Sequence, residues 1–230
     1  MSDRQDISAM IKSLQNGQFI LLHDDDSREN ETDIMLPAKH VTPKKIYQMR
    51  ELGGGLLCVA VAPEIGAKLE LPYMWEILLK TESESLPQLV NKTRSVSKRS
   101  THSITFNHRR LGGATDSQRS DTISSLHNLC QTYESNDNFY NDFYSDFESP
   151  GHLQMLIGSP GLLNSRDGHT ELSLFLCKLA NLTPVIIMCE ILDNQTFNAK
   201  SVTDCKNLAK KHNLTFIESH TVIDYYKTIS

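Results

Sequence analysis

Apolar residues recur along the chain in two rhythms, and the rhythm predicts what each segment becomes. Ile7, Met10, Ile11 and Leu14 stand at helical spacing, and Asn16-Gly17 stops the helix they predict. "QFILLH" reads as a strand, and "DIMLPA" as a second, short one. Thr42-Pro43 offers an N-cap followed by proline at the first helical position, with Ile46, Met49 and Arg50 in the turn behind it. Gly53-Gly54-Gly55 ends that helix, and the apolar run "LLCVAVA" then predicts a buried strand. "HSITFNH" alternates as a strand does, and Ile123, Leu126, Leu129 and Cys130 mark a further helix. Phe139, Phe143 and Phe147 repeat every fourth residue within "YESNDNFYNDFYSDFES", which predicts an amphipathic turn or two pinned to the core by those rings. "HLQML" is a strand, and "HTELSLFLCKLANL" a helix with Leu172, Phe175, Leu176 and Leu179 inward. "PVIIMCEIL" is another buried strand, and "SVTD" opens the next helix as a variant of the capping box. "LTFIESH" and a last helix through Tyr226 close the series.

Between Lys80 and Thr101 both rhythms fail. "KTESESLPQLVNKTRSVSKRST" is rich in Ser and Thr without sustained periodicity, and predicts a long mobile loop. The irregular alternation of helices and strands predicts an α+β (mixed α/β) fold, one layered domain over residues 1–230 with a mixed sheet flanked by helices. No internal repeat or Pro/Gly linker divides the chain.

Composition narrows the function classes. With 39% hydrophobic residues in 230, the chain can bury a real core. A net charge of −5 argues against nucleic acid as the main partner. No apolar run approaches the about eighteen residues that a membrane span needs, and "MSDRQDISAM" does not read as a signal peptide. Cys58, Cys130, Cys177, Cys189 and Cys205 are odd in number, widely spaced and without a C-x-x-C pair. They fit reduced thiols in a cytoplasmic protein rather than a disulfide framework or a structural zinc site.

The chemistry concentrates in four places. The first is "LLHDDDSRENETDIMLP", where Asp24, Asp25, Asp26, Glu29, Glu31 and Asp33 crowd between two strands around Arg28. Such a cluster repels itself unless it is solvated or faces a cation. If Glu29 to Asp33 is extended, Glu29, Glu31 and Asp33 share one face and form a set of hard oxygen ligands, suited to Mg²⁺ or Mn²⁺. A solvated turn and a metal site both remain open on these residues alone. The second is "SPGHLQ", read as a Pro-Gly turn delivering His152 to the start of a strand. The third is "SRDGHTELSLF", which sets Arg166, Asp167, Gly168, His169 and Thr170 before a helix, where free N–H groups favour phosphate and Arg166 adds a bidentate donor. A merely polar cap is the other reading. The fourth is Glu190, a carboxylate ending a buried strand, costly there unless paired. Walker, G-x-G-x-x-G, H-E-x-x-H and G-x-S-x-G patterns are missing.

In this order, "DDDSRENETDIMLPA", "GGGLLCVAV", "SITFNH", "TDSQR", "SPGHL", "RDGHTELS" and "CEIL" resemble the 3,4-dihydroxy-2-butanone 4-phosphate synthases, in their archaeal, monofunctional form. The pairing of "RENETD" with a later "GHTE" is the specific part, and the pieces span almost the whole chain. The resemblance implies a homodimeric lyase of riboflavin biosynthesis, using Mg²⁺ (or Mn²⁺) at two ions per site, that converts ribulose 5-phosphate to 3,4-dihydroxy-2-butanone 4-phosphate and formate. It implies metal binding by Glu29 and His169, and a sugar phosphate held by Arg28, Glu29, Asp33, Glu190 and the turn from Arg166 through Asp167, Gly168 and His169 to Thr170. It assigns catalysis to His152 and Glu190, with Glu31 and Asp33 in the same acidic motif. Such a reaction needs enolisation, loss of water, a carbon shift and C–C cleavage, which suits a metal that polarises a carbonyl beside carboxylate and imidazole groups that move protons. Cys58 also matches a family position, although buried packing explains it better than proton transfer.

Two positions depart from the family pattern: Gly112-Gly113 where Thr-Gly is expected, and Gln118 where an acid precedes Arg119. Two other classes were weighed, a nucleotide-binding RNA-modification enzyme of the same general fold and a non-catalytic relative. The first calls for a basic surface motif and the second for loss of part of the acid–histidine set, and the sequence has neither feature.

Overall fold

The buried apolar runs become the strands of one mixed sheet. A computed structural model describes residues 2–25, 28–90 and 99–229. Its strands are β1 (Ile20–His23), β2 (Thr32–Pro37), β3 (Cys58–Val61), β4 (His102–His108), β5 (Phe147–Ile157), β6 (Val185–Glu190) and β7 (Thr215–Glu218). They lie in the order β4-β5-β3-β6-β2-β1-β7. β1 with β7 and β3 with β5 are parallel pairs, and the remaining neighbours are antiparallel.

Successive side chains of a strand point to opposite faces, and here both faces are covered. Leu21, Ile34, Leu36, Val59 and Ile187 pack against α2 (Pro43–Leu52), α5 (Asp116–Cys130), α6 (Phe139–Asp146) and α8 (Val202–His212) through Ile46, Met49, Ile123, Leu126, Phe143 and Ala209. Ile20, Leu22, Met35, Ala60 and Ile186 pack against α1 (Ser2–Gln15), α7 (His169–Leu179) and α9 (Ser219–Ile229) through Met10, Leu14, Leu172, Leu176 and Val222. A mixed sheet between two helical layers is the expected fold class.

The start signals act as their chemistry requires. Thr42 Oγ1 accepts from Lys45 N at 3.2 Å, and Ser201 Oγ from Asp204 N at 3.1 Å. Phe139 and Phe143 are buried on α6, whereas Phe147 is buried as the first residue of β5. All five cysteines are buried free thiols, and no helix among the described residues is long and apolar enough to cross a membrane.

Three segments add to the expected pattern. α3 (Pro63–Lys68) and α4 (Met74–Lys80) are helices of six and seven residues, too short to display a helical rhythm. "SPGH" is a turn-like excursion without ladder partners, within the bounds of β5. Ser149 to His152 lie inside β5, at a register shift where Phe106 pairs with Leu153 but Asn107 pairs with Glu148. Gly151 lies so close to β4 that a Cβ on it would meet the Phe106 carbonyl carbon at 2.0 Å, which leaves room for glycine alone. The segment from Lys80 to Thr101 holds a 3-10 turn over Leu86–Leu89 and a buried Val90. Residues 91–98 of the expected loop lie outside the described residues.

Candidate active site

A cavity of about 850 Å³ opens where β2 begins and β6 ends, beneath the N-terminus of α7. Glu29, Glu31, Asp33 and Glu190 line it together with Arg28, Arg166, Asp167, His169 and Thr170. Thr101 and His102 of the β4 side and His220 of α9 complete its walls.

The acids reach it by a turn rather than by strand alternation. Asn30 takes a left-handed φ of 54°, so the segment from Glu29 to Asp33 is not extended, and β2 begins only at Thr32. Asp24 organises the turn: its N–H donates to Glu31 O at 3.0 Å, continuing the β1–β2 ladder. Its carboxylate, with no exposed surface, accepts from Glu31 N at 2.9 Å, Glu29 N at 3.2 Å and Arg28 Nη1 at 3.2 Å. Arg28 Nη1 also meets Glu29 Oε2 at 3.2 Å. The β2–β6 register sets Asp33 opposite Glu190, and Glu190 Oε2 is fixed by Leu56 N–H at 2.7 Å.

The electrostatic cost of this gathering is visible in its protons. Burial, reinforced by Asp33, Glu29, Glu190 and Asp24, pushes Glu31 up to about 7. Burial and then Glu190 raise Asp33 well above the usual carboxylate range. The metal-free native state therefore holds a proton on Glu31 that the unfolded chain, titrating near 4.5, has already lost. Stability without metal is expected to fall as pH rises from 4.5 to about 7, and divalent cation is expected to remove that slope while expelling protons. Melting curves of chelated protein across this range, and magnesium calorimetry in buffers of different ionisation enthalpy, test it. A flat or rising melting temperature with no proton release contradicts it.

His169 opens α7 behind Gly168. Its Nδ1 lies 3.4 Å from Asp33 Oδ2, and its Nε2 is buried without a hydrogen-bond partner. Burial lowers its pKa to about 4, which keeps the imidazole neutral and able to ligate. Ligand atoms of Asp24, Glu29 and His169 all lie within 4.8 Å of one another, so these three residues could hold a cation. Asp33 Oδ1, also buried and unpaired, faces the same region.

Arg166 is not the free fork expected from the sequence. Its Nη1 is paired with Glu171, a fully buried carboxylate that also accepts from Ser159 N at 2.9 Å. Glu171 stood inside the "GHTE" motif without an assigned role, and its separation of five residues from Arg166 closes only through the turn at Gly168. A Cβ on Gly168 would lie 2.0 Å from Arg166 Nη1 and 2.8 Å from Arg28 Nη2, so glycine lets both guanidinium groups approach. Breaking a buried pair from one side costs about 3–5 kcal/mol. Glu171→Ala is therefore expected to lose stability of that order in denaturant unfolding, and a loss under about 1 kcal/mol contradicts the anchoring role. Thr170 Oγ1 stands 3.0 Å from Thr101 Oγ1, joining α7 to the strand opposite.

His152 does not line the cavity of its own chain. It is exposed, on the same face of β5 as the cavity residue Leu156 but about 13 Å further along the strand. Asn107 Oδ1 accepts from its backbone N–H at 2.9 Å, and Asn107 Nδ2 lies 3.1 Å from its Nδ1. The two departures from the family pattern have local reasons. Gly112 takes a left-handed φ of 73°, which favours glycine over threonine, and Gln118 Oε1 caps α5 by accepting from Ala114 N and Thr115 N, each at 3.1 Å. Cys58 lines the cavity, but burial and Glu190 push its thiol far up, consistent with packing rather than proton transfer.

A family model for 3,4-dihydroxy-2-butanone 4-phosphate synthase matches residues 8–225. The chain belongs to the 3,4-dihydroxy-2-butanone 4-phosphate synthase family. The synthase of Methanosarcina acetivorans is 36% identical over 227 residues, covering 96% of this chain and 91% of its own. That of Methanothermobacter thermautotrophicus is 36% identical over 223 residues, covering 96% and 95%. The crystal structure of the Candida albicans synthase superposes with a TM-score of 0.74 at 27% identity, covering 96% of each chain. A synthase crystallised with two magnesium ions has a TM-score of 0.75 at 24% identity, a likeness of fold. This chain is thus a synthase of that family, and the nucleotide-binding and non-catalytic alternatives are set aside.

Proposed function

We propose that the cavity beneath α7 is the active site in which this chain converts ribulose 5-phosphate to 3,4-dihydroxy-2-butanone 4-phosphate and formate. The observation that carries the reading is the gathering of Asp24, Glu29 and His169 within ligand distance of one another, beside Asp33 and Glu190, in a chain of this family. Hard carboxylate oxygens and one neutral imidazole suit Mg²⁺ or Mn²⁺, and the orphaned His169 Nε2 is what a ligating ring leaves when no cation is bound. Glu29 and His169 hold the metal, with Asp24 as a third ligand, and a pair of ions is consistent with the number of acids. Metal held there supplies Lewis-acid polarisation of the substrate carbonyl.

The chain's own groups account for positioning and proton movement. Arg28 and the turn from Arg166 through Asp167, Gly168 and His169 to Thr170 bind the sugar phosphate at the N-terminus of α7. Glu190, fixed by the Leu56 N–H and opposite Asp33, takes the proton from the carbon beside the ketone. Glu31 and Asp33, which line the cavity beside Glu190, relay the proton that Glu190 has taken to the departing hydroxyl, which leaves as water. His152 lies too far from the cavity of its own chain to act there, so a homodimer in which a second copy brings its His152 to the open side satisfies both expectations. Reduced, buried thiols fit a cytoplasmic enzyme.

Purified protein given ribulose 5-phosphate and magnesium is expected to release formate and a four-carbon keto phosphate in equal amounts. Folded protein that forms neither contradicts the proposal.

A further inference from the structure

Among the described residues, three arginines line the cavity, and they differ in what neutralises them. Arg28 is paired with Asp24 and Glu29, and Arg166 with Glu171. Arg99 has no carboxylate partner among the described residues. Its guanidinium lies over the ring of Trp75, 4.5 Å from the centroid, with Nε buried and without a hydrogen-bond acceptor.

This arginine is held by a stack reaching back to the core. Trp75 stacks on Tyr73 at 5.9 Å and 10°. Tyr73 packs on the core, donates from its hydroxyl to Gly158 O at 3.3 Å and from its N–H to Glu76 Oε2 at 2.9 Å. Ser103 Oγ ties the same segment to β4 by donating to Pro72 O at 2.6 Å. Two residues beyond Arg99, Thr101 touches Thr170 in the first turn of α7. Two residues span at most about 7 Å, so Arg99 flanks the helix N-terminus where the phosphate is placed.

We infer that Arg99 binds the substrate phosphate and that Trp75 is its positioning residue; this rests on the reading of the cavity as a sugar-phosphate site. A phosphate dianion entering there faces Glu29, Glu31, Asp33 and Glu190. Arg28 and Arg166 meet the phosphate with their charge already shared with carboxylates, and Arg99 adds a charge that no described carboxylate neutralises. Its planar fork matches phosphate oxygens, and the aromatic ring fixes it in advance without neutralising it.

Calorimetric binding of ribitol 5-phosphate, with ribitol as control, to magnesium-loaded wild type, Arg99→Gln, Arg99→Lys, Trp75→Leu and Trp75→Phe tests the inference beside steady-state kinetics. Arg99→Gln is expected to weaken ribitol 5-phosphate by about 10- to 100-fold and to raise KM in step, with kcat, ribitol binding, magnesium affinity and melting temperature little changed. Arg99→Lys recovers part of the affinity and guards against a folding artefact. Trp75→Leu raises KM in the same direction and Trp75→Phe restores most of it, since a ring remains under the cation. Trp75 is the sole tryptophan, so its fluorescence is expected to respond to ribitol 5-phosphate in wild type and not in Arg99→Gln. Wild-type affinity and KM in Arg99→Gln overturn the assignment, and equal harmlessness of both Trp75 variants overturns the positioning role. Failure of wild type to release formate overturns the reading of the cavity itself, whereas turnover by wild type with Arg99→Gln unaffected overturns only the role of Arg99.

Discussion

His152→Ala is expected to turn over at least about 10²-fold more slowly than wild type at any magnesium concentration, while binding metal and ribulose 5-phosphate nearly normally. A positioned general acid or base contributes about 10²–10⁴-fold, and removing one leaves the binding groups in place. The result carries more information when His152→Ala is unfolded, mixed with Glu190→Gln and refolded. If each site takes Glu190 from one copy and His152 from the other, a mixed dimer regains one intact site. Random pairing then restores about a quarter of the sites, although each variant alone is nearly inactive. No recovery, with mixed dimers shown to form, places His152 and Glu190 in one chain or removes His152 from the chemistry.

The metal ligands are expected to fail differently. Glu29→Gln and His169→Ala remove groups whose ligand atoms converge with those of Asp24. Even outer-shell partners of a metal are worth about 10–100-fold in affinity, so loss of a direct ligand is expected to weaken magnesium at least that much. Excess magnesium then recovers part of the activity of His169→Ala, because the ring holds the cation rather than moving protons. Magnesium calorimetry beside formate release separates the two histidines. Rescue of His152→Ala and not of His169→Ala reverses their roles.

Much of the fold could be read from the chain because the signals are local. The apolar runs of β3 and β6, the Thr42-Pro43 start of α2 and the Ser201 cap of α8 act through neighbours a few residues away. Elsewhere a distant partner overrides local chemistry. Pro150-Gly151 has the composition of a turn and does loop out of the ladder, yet it stays within β5 because Gly151 packs against the Phe106 backbone, 45 residues away in sequence. The acids between Glu29 and Asp33 do gather, but through the left-handed Asn30 and the buried Asp24 carboxylate rather than by alternation. His169 and Glu190 are legible because each sits at the end of an element with a readable start or stop, and Glu29 because it stands in an acidic run between two strands. The sequence pattern passes over Asp24, which looks like one acid among several, and Arg99, whose partner Trp75 lies on a helix too short to show a period. How far His152 lies along β5 from the cavity of its own chain is not legible locally, because strand length and register depend on β3 and β4.

The proposed metal centre of the acidic turn and His169 serves the ribulose 5-phosphate reaction. Formate release from ribulose 5-phosphate, followed as chelator is added in excess and magnesium then returned, tests it most directly. Turnover is expected to be lost in chelator and to recover as magnesium occupies the site. Full formate release in excess chelator would contradict it.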